Sequence, residues 1–312
     1  MIRQAVHAAA FLACAWAVPA LAQSQLVVSA GPENSTAWIA ANDLQDVGRS
    51  CGVQIEVASS EGAITSLEAL DGPIAADAAI LQGDVLDYLQ SYRGQDPKIA
   101  AAIEGVEMAA PLFSQEFHVV ARPGIDSLDD LNGARVNLGP LTSGGFLTAT
   151  IALDFLGISP GERLRMPTET AIDALKSGDL DAVLIVDAVP SRLLQNSGLT
   201  SDQAQLLDVV DPFLSETYQD ASIPGGTYAF EPETRKSIAV KSYLMTRASA
   251  SQGPACVNVA DTVAMISRRR DLLATRGHQK WGELDMVNDL LNWPVSSCAV
   301  VGLDPARPLT CQ

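Results

Sequence analysis

The sequence predicts an α/β protein of two lobes, and three observations support this fold class. Short apolar segments alternate with amphipathic ones along most of the chain, which is typical of strands and helices in mostly parallel sheets. The roughly 290 residues after an N-terminal leader exceed one typical small domain. No Pro-rich or Ser-rich linker separates the two sets of strands, so we expect crossing strands to act as the hinge between the lobes.

The first 22 residues have the pattern of a secretory signal peptide. A charged start at Arg3 precedes an apolar run over 8–18 and a small-x-small end at residues 20–22, the order found in such signals. The run is shorter than the roughly 20 residues of a transmembrane helix. We therefore expect cleavage after Ala22 and a mature protein in the periplasm. A lipid anchor at Cys14 is the alternative.

The charge of the chain excludes some partners. The sequence has 20 basic and 37 acidic residues, and loss of Arg3 with the leader leaves 19 against 37, a formal charge of −18. Such a surface repels nucleic acid and anionic membranes, so neither is expected as a partner. A small anionic ligand stays possible because a binding site depends on local donors.

The first part of the chain contains three strand–loop–helix units. Strands are expected at 26–29, 53–58 and 78–81, and the helices that follow them at 36–49, 62–70 and 84–92. The carboxyl ends of parallel strands meet at one edge of a sheet, where ligands of α/β proteins bind. Loops 31–36, 59–63 and 82–84 should therefore lie together.

A second set of elements follows. Strands are expected at 117–122, 136–138, 182–186, 206–210 and 237–244, a helical turn at 128–131, and helices at 146–157, 168–176, 259–274 and 281–291. We expect domain I to comprise 23–112 plus 246–312, and domain II to comprise 113–245.

The loop 139–145, GPLTSGG, is the most informative segment of this second set. It leads from a strand into a helix, and free N–H groups together with the helix dipole make such a junction suitable for an anion. An ordinary turn, in which Thr142 and Ser143 act only as helix caps, is the alternative.

Four cysteines remain after the leader: Cys51, Cys256, Cys298 and Cys311. In an oxidising compartment an even number indicates disulfides, and four cysteines allow three pairings. We favour Cys298–Cys311 with Cys51–Cys256. Their spacings do not fit a zinc site.

Five passages, in order, resemble one known family. They are SAGPENSTAW (29–38), the segment 59–70, AAILQGDVL (78–86), PLFSQEFHVVARPGIDSLDDLNGARVNLGPLTSGG (111–145) and SIPGGTY (222–228). Together they resemble the TAXI-type substrate-binding proteins of tripartite ATP-independent periplasmic (TRAP) transporters, which have the type II periplasmic binding protein (Venus flytrap) fold. The chain departs from the family at 33–38, which lacks a glycine pair and paired tyrosines, and at Gly145, where a hydroxyl residue is common.

The resemblance implies a receptor that closes on a small organic anion, a glutamate-like amino acid or a dicarboxylate, and delivers it to a TRAP permease. The candidate ligand contacts are Asn34, Ser35, Thr36, Trp38, Ser60, Ala63, Gln82, Asp84, Thr142, Ser143, Gly144, Gly145, Asp187 and Tyr228. Asp84 as a helix cap, Asp187 as a solvated turn residue, and Trp38 and Tyr228 as core residues are the alternatives.

The sequence gives little support for an enzyme. It lacks the G-x-S-x-G, H-E-x-x-H and G-x-G-x-x-G patterns that place nucleophiles, metals or dinucleotides. We expect a monomer without cofactor or metal. Arg122 and Arg135 are possible carboxylate forks, with surface arginines as the alternative. A binding protein of an ABC importer or a sensor kinase, and a periplasmic enzyme that pairs carboxylates across the cleft, remain as rival functions.

Overall fold

The computed structural model describes residues 25–71, 75–289 and 292–311. The expected signal peptide, 1–22, lies outside the described residues. The strands are β1 Leu26–Ala30, β2 Ile55–Ser59, β3 Ala78–Gln82, β4 Val106–Ala121, β5 Arg135–Asn137, β6 Glu162–Leu164, β7 Ala182–Asp187, β8 Gln205–Leu206, β9 Gln219–Ile223 and β10 Arg235–Arg247.

The α-helices are α1 Thr36–Ser50, α2 Ala63–Glu68, α3 Gly83–Tyr92, α4 Pro97–Ile103, α5 Gly144–Phe155, α6 Thr168–Ser177, α7 Arg192–Gln195, α8 Pro212–Thr217, α9 Gly253–Arg268, α10 Arg270–Arg276 and α11 Ser297–Gly302. Short 3-10 helices occupy Leu128–Leu131, Ala248–Ser251 and Gln279–Glu283. No helix in the described ranges is long and apolar enough to span a membrane.

The described strands form one mixed sheet in the order β2-β1-β3-β10-β4-β7-β5-β6, with β8 beside β4 and β9 beside β10. Strand β1 pairs in parallel with β2 and β3, and β5 pairs in parallel with β6 and β7. We call the part built on β1–β3 lobe I and the part built on β5–β7 lobe II. This architecture confirms the predicted two-lobed α/β fold.

Two long antiparallel strands connect the lobes. The first half of β4 pairs with the last half of β10, which itself lies against β3 in lobe I. Residues 116–121 of β4 then pair with β7 in lobe II. Both strands therefore pass from one lobe to the other, which is the position expected of hinge strands.

Each lobe has its own hydrophobic core on the two faces of the sheet. In lobe I, one cluster includes Leu44 and Trp281, and another includes Leu81 and Met108. In lobe II, the two clusters contain residues such as Phe117, Leu153, Leu206 and Phe230. The exact residue boundaries between the lobes stay a prediction.

The helix predicted over 281–291 is wrong. A 3-10 helix ends at Glu283, and the residues after it form a turn. The carboxylate of Asp285 accepts hydrogen bonds from the backbone N–H groups of Val287 (2.9 Å) and Asn288 (3.0 Å). These bonds satisfy local donors without a helix, the usual effect of an Asp side chain in a turn.

The favoured cysteine pairing is also wrong. The disulfides are Cys51–Cys311 and Cys256–Cys298. Helix α11 packs against α9, which brings Cys298 to Cys256, and the C-terminal tail returns to the end of α1, where Cys51 lies. Sequence separation could not reveal either contact. Both bridges lie within lobe I.

Candidate functional site

A cavity of about 190 Å³ lies between the lobes. It is bounded by the carboxyl ends of β1, β3 and β7, by the loop after β5, and by the hinge strands. This is the edge at which the sequence predicts a site. The volume is below the range typical of drug-sized ligands and therefore favours a small solute.

The N-terminus of α5 points two free donors at this cavity. The Ser143 hydroxyl accepts a hydrogen bond from the Phe146 N–H (3.0 Å) and donates to the Pro140 carbonyl (2.7 Å). It therefore caps the helix, as the alternative interpretation held, while also lining the cavity. The N–H groups of Gly144 and Gly145 have no acceptor among the described residues, so they and the helix dipole are available to an anion.

Lobe I touches this same loop through a glycine. A Cβ on Gly62 would lie 2.4 Å from the carbonyl oxygen of Thr142, so only glycine permits the approach. The Ile64 N–H donates to that oxygen (3.3 Å), and the Thr142 hydroxyl donates to the Glu61 carbonyl (3.4 Å). Thr142 therefore joins the lobes and is not among the lining residues.

Gln82 is the polar side chain that lacks a partner at the site. It ends β3, is only 8% exposed, and lines the cavity. Its amide makes no hydrogen bond within the described parts of the chain, and its atoms are open to the cavity rather than enclosed by the protein. A Cβ on Gly144 would lie 1.4 Å from Gln82 Oε1, so the amide rests against the start of α5. A ligand at this position would satisfy it.

The hinge strands supply a pair that sequence reasoning missed. Gln115 of β4 donates through Nε2 to the Ser242 hydroxyl of β10 (2.5 Å), and both side chains are buried and line the cavity. The signal available in the sequence is a polar residue inside an otherwise apolar strand. Because Gln115 lies on β4 and Ser242 on β10, the cavity wall includes the two strands that connect the lobes.

Asp187 lies at the end of β7, inside the cavity wall. Its carboxylate accepts hydrogen bonds from the hydroxyls of Ser191 (2.5 Å) and Thr36. The Ala188 N–H donates to the same Thr36 oxygen (2.8 Å). Burial raises the pKa of Asp187 above the ordinary value. Asp187 is therefore a buried, hydrogen-bonded residue and not the solvated turn residue considered as the alternative.

The charges around the cavity are negative. Glu33, Glu169 and Asp187 line it, and no lysine, arginine or histidine is among its described lining residues. Arg122 and Arg135 instead bind Asp181 (2.7 and 2.9 Å), which precedes β7 and so lies at the opposite end of that strand from Asp187. The hydrogen bonds from Arg135 hold the pKa of Asp181 well below its usual range. An anion in the cavity would depend on N–H and amide donors.

The predicted contacts divide into two groups. Those that line the cavity are Asn34, Ser35, Ala63, Gln82, Ser143, Gly144, Gly145 and Asp187. Those that do not are Thr36, Trp38, Ser60, Asp84, Thr142 and Tyr228. Ser60 bonds to Ser66 (2.7 Å), and Asp84 lines a different cavity.

Tyr228 acts behind the cavity wall. It is 1% exposed, and its hydroxyl lies 2.8 Å from His118 Nε2 and accepts from the Ser191 N–H (3.0 Å). His118 Nδ1 faces the Glu116 carbonyl (2.9 Å); with the Nδ1–H tautomer, the tyrosine donates to Nε2. Burial lowers the pKa of His118 to about 4, which keeps the ring neutral. Tyr228 thus positions Ser191, which in turn holds Asp187.

Comparison with known families agrees with this geometry. The NMT1-like family matches residues 37–255, well over half of the chain. The chain belongs to the NMT1-like family. The match includes all of lobe II and the hinge strands.

Solved structures of similar fold include a periplasmic binding protein and a protein with bound malate. They include MatC from Rhodopseudomonas palustris with bound malate, at 17% identity over 83% of this chain and 88% of that chain, with a TM-score of 0.54. The periplasmic binding protein BugD has 12% identity over 81% and 86%, with a TM-score of 0.53. A mutant of ArgBP from T. maritima has 12% identity over 83% and 96%, with a TM-score of 0.50. At these identities the likeness establishes the fold.

Proposed function

We propose that this NMT1-like protein is a periplasmic solute receptor. It captures a small carboxylate-bearing solute by closing its lobes and delivers that solute to a TRAP permease. The observation that supports this most strongly is the unpaired amide of Gln82, which rests against the start of α5 beside the free N–H groups of Gly144 and Gly145. Donors from both lobes then bond to the same ligand, so ligand binding favours the form in which the two lobes are closed.

The solute carboxylate lies at the start of α5 in this proposal. The N–H groups of Gly144 and Gly145 and the amide of Gln82 hold it, and the pair Gln115–Ser242 bonds its polar substituents. A single such bond contributes about 1 kcal/mol, whereas micromolar affinity needs about 8 kcal/mol. Several contacts must therefore act together, and displaced water and lobe closure must add to them.

Of the two expected solute classes, the cavity favours the glutamate-like amino acid. Its lining carries Glu33, Glu169 and Asp187 without a lysine, arginine or histidine among the described residues. These carboxylates repel a second carboxylate and attract an ammonium group. A dicarboxylate lacks the ammonium and would bind more weakly.

A thermal-shift screen of the mature protein tests this proposal. A ligand that binds only the native state raises the melting temperature by mass action, so we expect L-glutamate-like amino acids to stabilise more than succinate or malate. In Gln82→Ala the shift at the same ligand concentration should be smaller. The matched control is Gln90→Ala on the same helix–strand unit, because Gln90 is exposed and lies outside the cavity.

Two outcomes would contradict the proposal. One is the absence of stabilisation by any carboxylate in protein freed of bound ligand by unfolding and refolding. The other is an equal shift in the Gln82 and Gln90 variants. The partner is tested separately: cellular uptake of the solute that depends on this receptor should continue when ATP is depleted, whereas uptake through an ABC importer would stop.

A further inference from the structure

A second cavity, of about 460 Å³, lies on the other face of the hinge strand β10. Adjacent residues of a strand point to opposite faces. Accordingly Ser242 lines the first cavity, whereas Tyr243 lines the second. The second cavity also reaches both lobes, since α3 of lobe I and α5 and α8 of lobe II contribute to its wall.

The second cavity carries more negative than positive charge. Its described lining includes the carboxylates of Asp84, Asp87 and Asp289 and one cation, Lys241, which forms an ion pair with Asp289. The Asp87 side chain is exposed, and its carboxylate has no hydrogen bond or ion pair within the described chain. Two carboxylates therefore lack a cationic partner.

Asp84 is the inner of these two carboxylates. Its Oδ1 accepts a hydrogen bond from the Val85 N–H (2.9 Å). Its Oδ2 accepts from the hydroxyls of Thr148 (2.5 Å) and Tyr218 (3.3 Å), both in lobe II. Burial raises its pKa to about 6, because hydroxyl donors compensate a buried charge less well than a cation does. A positive ligand would supply the missing compensation.

Tyr243 provides independent evidence for a ligand. Its ring packs in the core of lobe I and the residue is 6% exposed, yet its hydroxyl has no partner among the described residues. The hydroxyl is open to the second cavity rather than enclosed by protein, so a ligand in that cavity can bond to it. Burial raises its pKa to about 12, so the hydroxyl remains protonated, and Tyr243 lines the same cavity as Asp87 and Asp289.

The chemistry of the lining favours an organic cation over a metal ion. No group of three His, Cys, Asp or Glu side chains that could hold a metal occurs in the described ranges. The wall also includes the aromatic or apolar side chains of Tyr88, Ile151, Phe155 and Tyr218. Aromatic faces attract ammonium groups, and apolar side chains accommodate methylene groups.

We propose that the second cavity binds a small aliphatic diamine, with its ammonium groups at Asp84 and Asp87 and a hydrogen bond to the phenol oxygen of Tyr243. Two positive charges match the two unpaired carboxylates. Because the cavity has walls from both lobes, the bound diamine contacts both lobes in the arrangement that the structure shows.

Isothermal titration of 1,4-diaminobutane into the mature protein, in roughly 0.15 M KCl to screen surface charge, tests the proposal. We expect saturable binding at one site. Asp87→Asn should weaken it about tenfold or more, the usual effect of losing a charge-assisted hydrogen bond. Tyr243→Phe, which keeps the packed ring and removes the hydroxyl, should weaken it measurably.

Three controls separate this site from other effects. Glu162→Gln removes one exposed charge from β6, outside the cavity, and should leave the affinity unchanged. Gln82→Ala should also leave it unchanged, since Gln82 belongs to the first cavity. 1,4-Butanediol, which has the same length without charge, should not bind.

The proposal is overturned if 1,4-diaminobutane does not bind to the wild-type protein, or if Asp87→Asn and Tyr243→Phe bind it as tightly as the wild type does. Equal competition by Ca²⁺ would also overturn it, because the site would then recognise charge alone.

Discussion

The hydroxyl of Thr36, at the start of α1, donates a hydrogen bond to the carboxylate of Asp187, at the end of β7. Its oxygen also accepts from the Ala188 N–H (2.8 Å). One side chain of lobe I thus satisfies two buried polar groups of lobe II, directly beside the first cavity. An open form would lose both bonds, so this contact should stabilise the closed form.

Replacement of Thr36 tests this contact. Thr36→Val keeps the shape but removes the hydroxyl, which leaves buried polar groups on Asp187 and Ala188 unpaired. We expect a loss of about 2 kcal/mol in the free energy of unfolding and a larger radius of gyration by small-angle X-ray scattering. Thr36→Ser keeps the hydroxyl and should resemble the wild type. A valine variant as stable and as compact as the serine variant would show that the Thr36 hydroxyl does not stabilise the closed form.

Tyr228 gives a second prediction. In Tyr228→Phe the Ser191 N–H loses its acceptor and His118 Nε2 loses its donor, both in buried positions. We expect destabilisation of about 1–3 kcal/mol in urea denaturation and weaker solute binding, because Ser191 holds Asp187. Phe230→Leu, in the same buried cluster, is the control for packing alone. If Tyr228→Phe lost stability but bound the solute as tightly as the wild type, Tyr228 would have only a structural role in the core.

Local patterns in the sequence were sufficient for much of this fold. The run 182–186 was apolar enough to be a buried strand. The helix predicted from 146 begins at Gly144, and Ser143 was one of two candidate caps for it. The order of strands, loops and helices then placed Gln82, Ser143 and Asp187 at one edge of the sheet. These features depend on residues close together in the chain.

Long-range contacts were beyond that reasoning. The partner of Cys51 depends on where the C-terminal tail packs, and the Gln115–Ser242 pair depends on the register of two hinge strands 127 residues apart. Tyr228 and Asp84 lie in the right loops, but their side chains point away from the first cavity. The direction in which such a side chain points depends on tertiary packing, which the sequence pattern does not reveal.

The raised pKa of Asp84 gives a prediction on pH. Burial raises it to about 6 in the folded protein, so the native state binds this proton more tightly than the unfolded state does. The stability that the protonated Asp84 carboxyl contributes is present at low pH and is lost as the pH rises from about 4 through 6. Asp84→Asn should therefore be more stable than the wild type by about 1–3 kcal/mol at neutral pH.

Comparing the wild type with Asp84→Asn isolates the contribution of Asp84. The lowered pKa of His118 gives the opposite pH dependence, but His118 is present in both proteins. Its effect therefore cancels in the difference between their free energies of unfolding. The advantage of Asp84→Asn should shrink toward zero below about pH 4. Urea denaturation at several pH values measures it, and a pH-independent difference would refute the assignment.

The disulfides give a fourth prediction. Cys51–Cys311 spans 260 residues and Cys256–Cys298 spans 42, and a bridge restricts the unfolded chain more when its loop is longer. Replacing either pair with alanines should cost about 2–4 kcal/mol, with the larger loss for Cys51→Ala/Cys311→Ala. Peptide mapping without reductant should recover a peptide that joins Cys51 to Cys311. A peptide joining Cys298 to Cys311 would contradict the connectivity.

The central claim is that the first cavity holds a carboxylate between the lobes. A crystal structure of the mature protein grown with L-glutamate tests it most directly. We expect a ligand carboxylate bonded to the N–H groups of Gly144 and Gly145 and to the Gln82 amide, with its ammonium group toward Asp187. A cavity that contains only water under saturating L-glutamate, or a solute bound without contact to Gln82 and α5, would contradict this account.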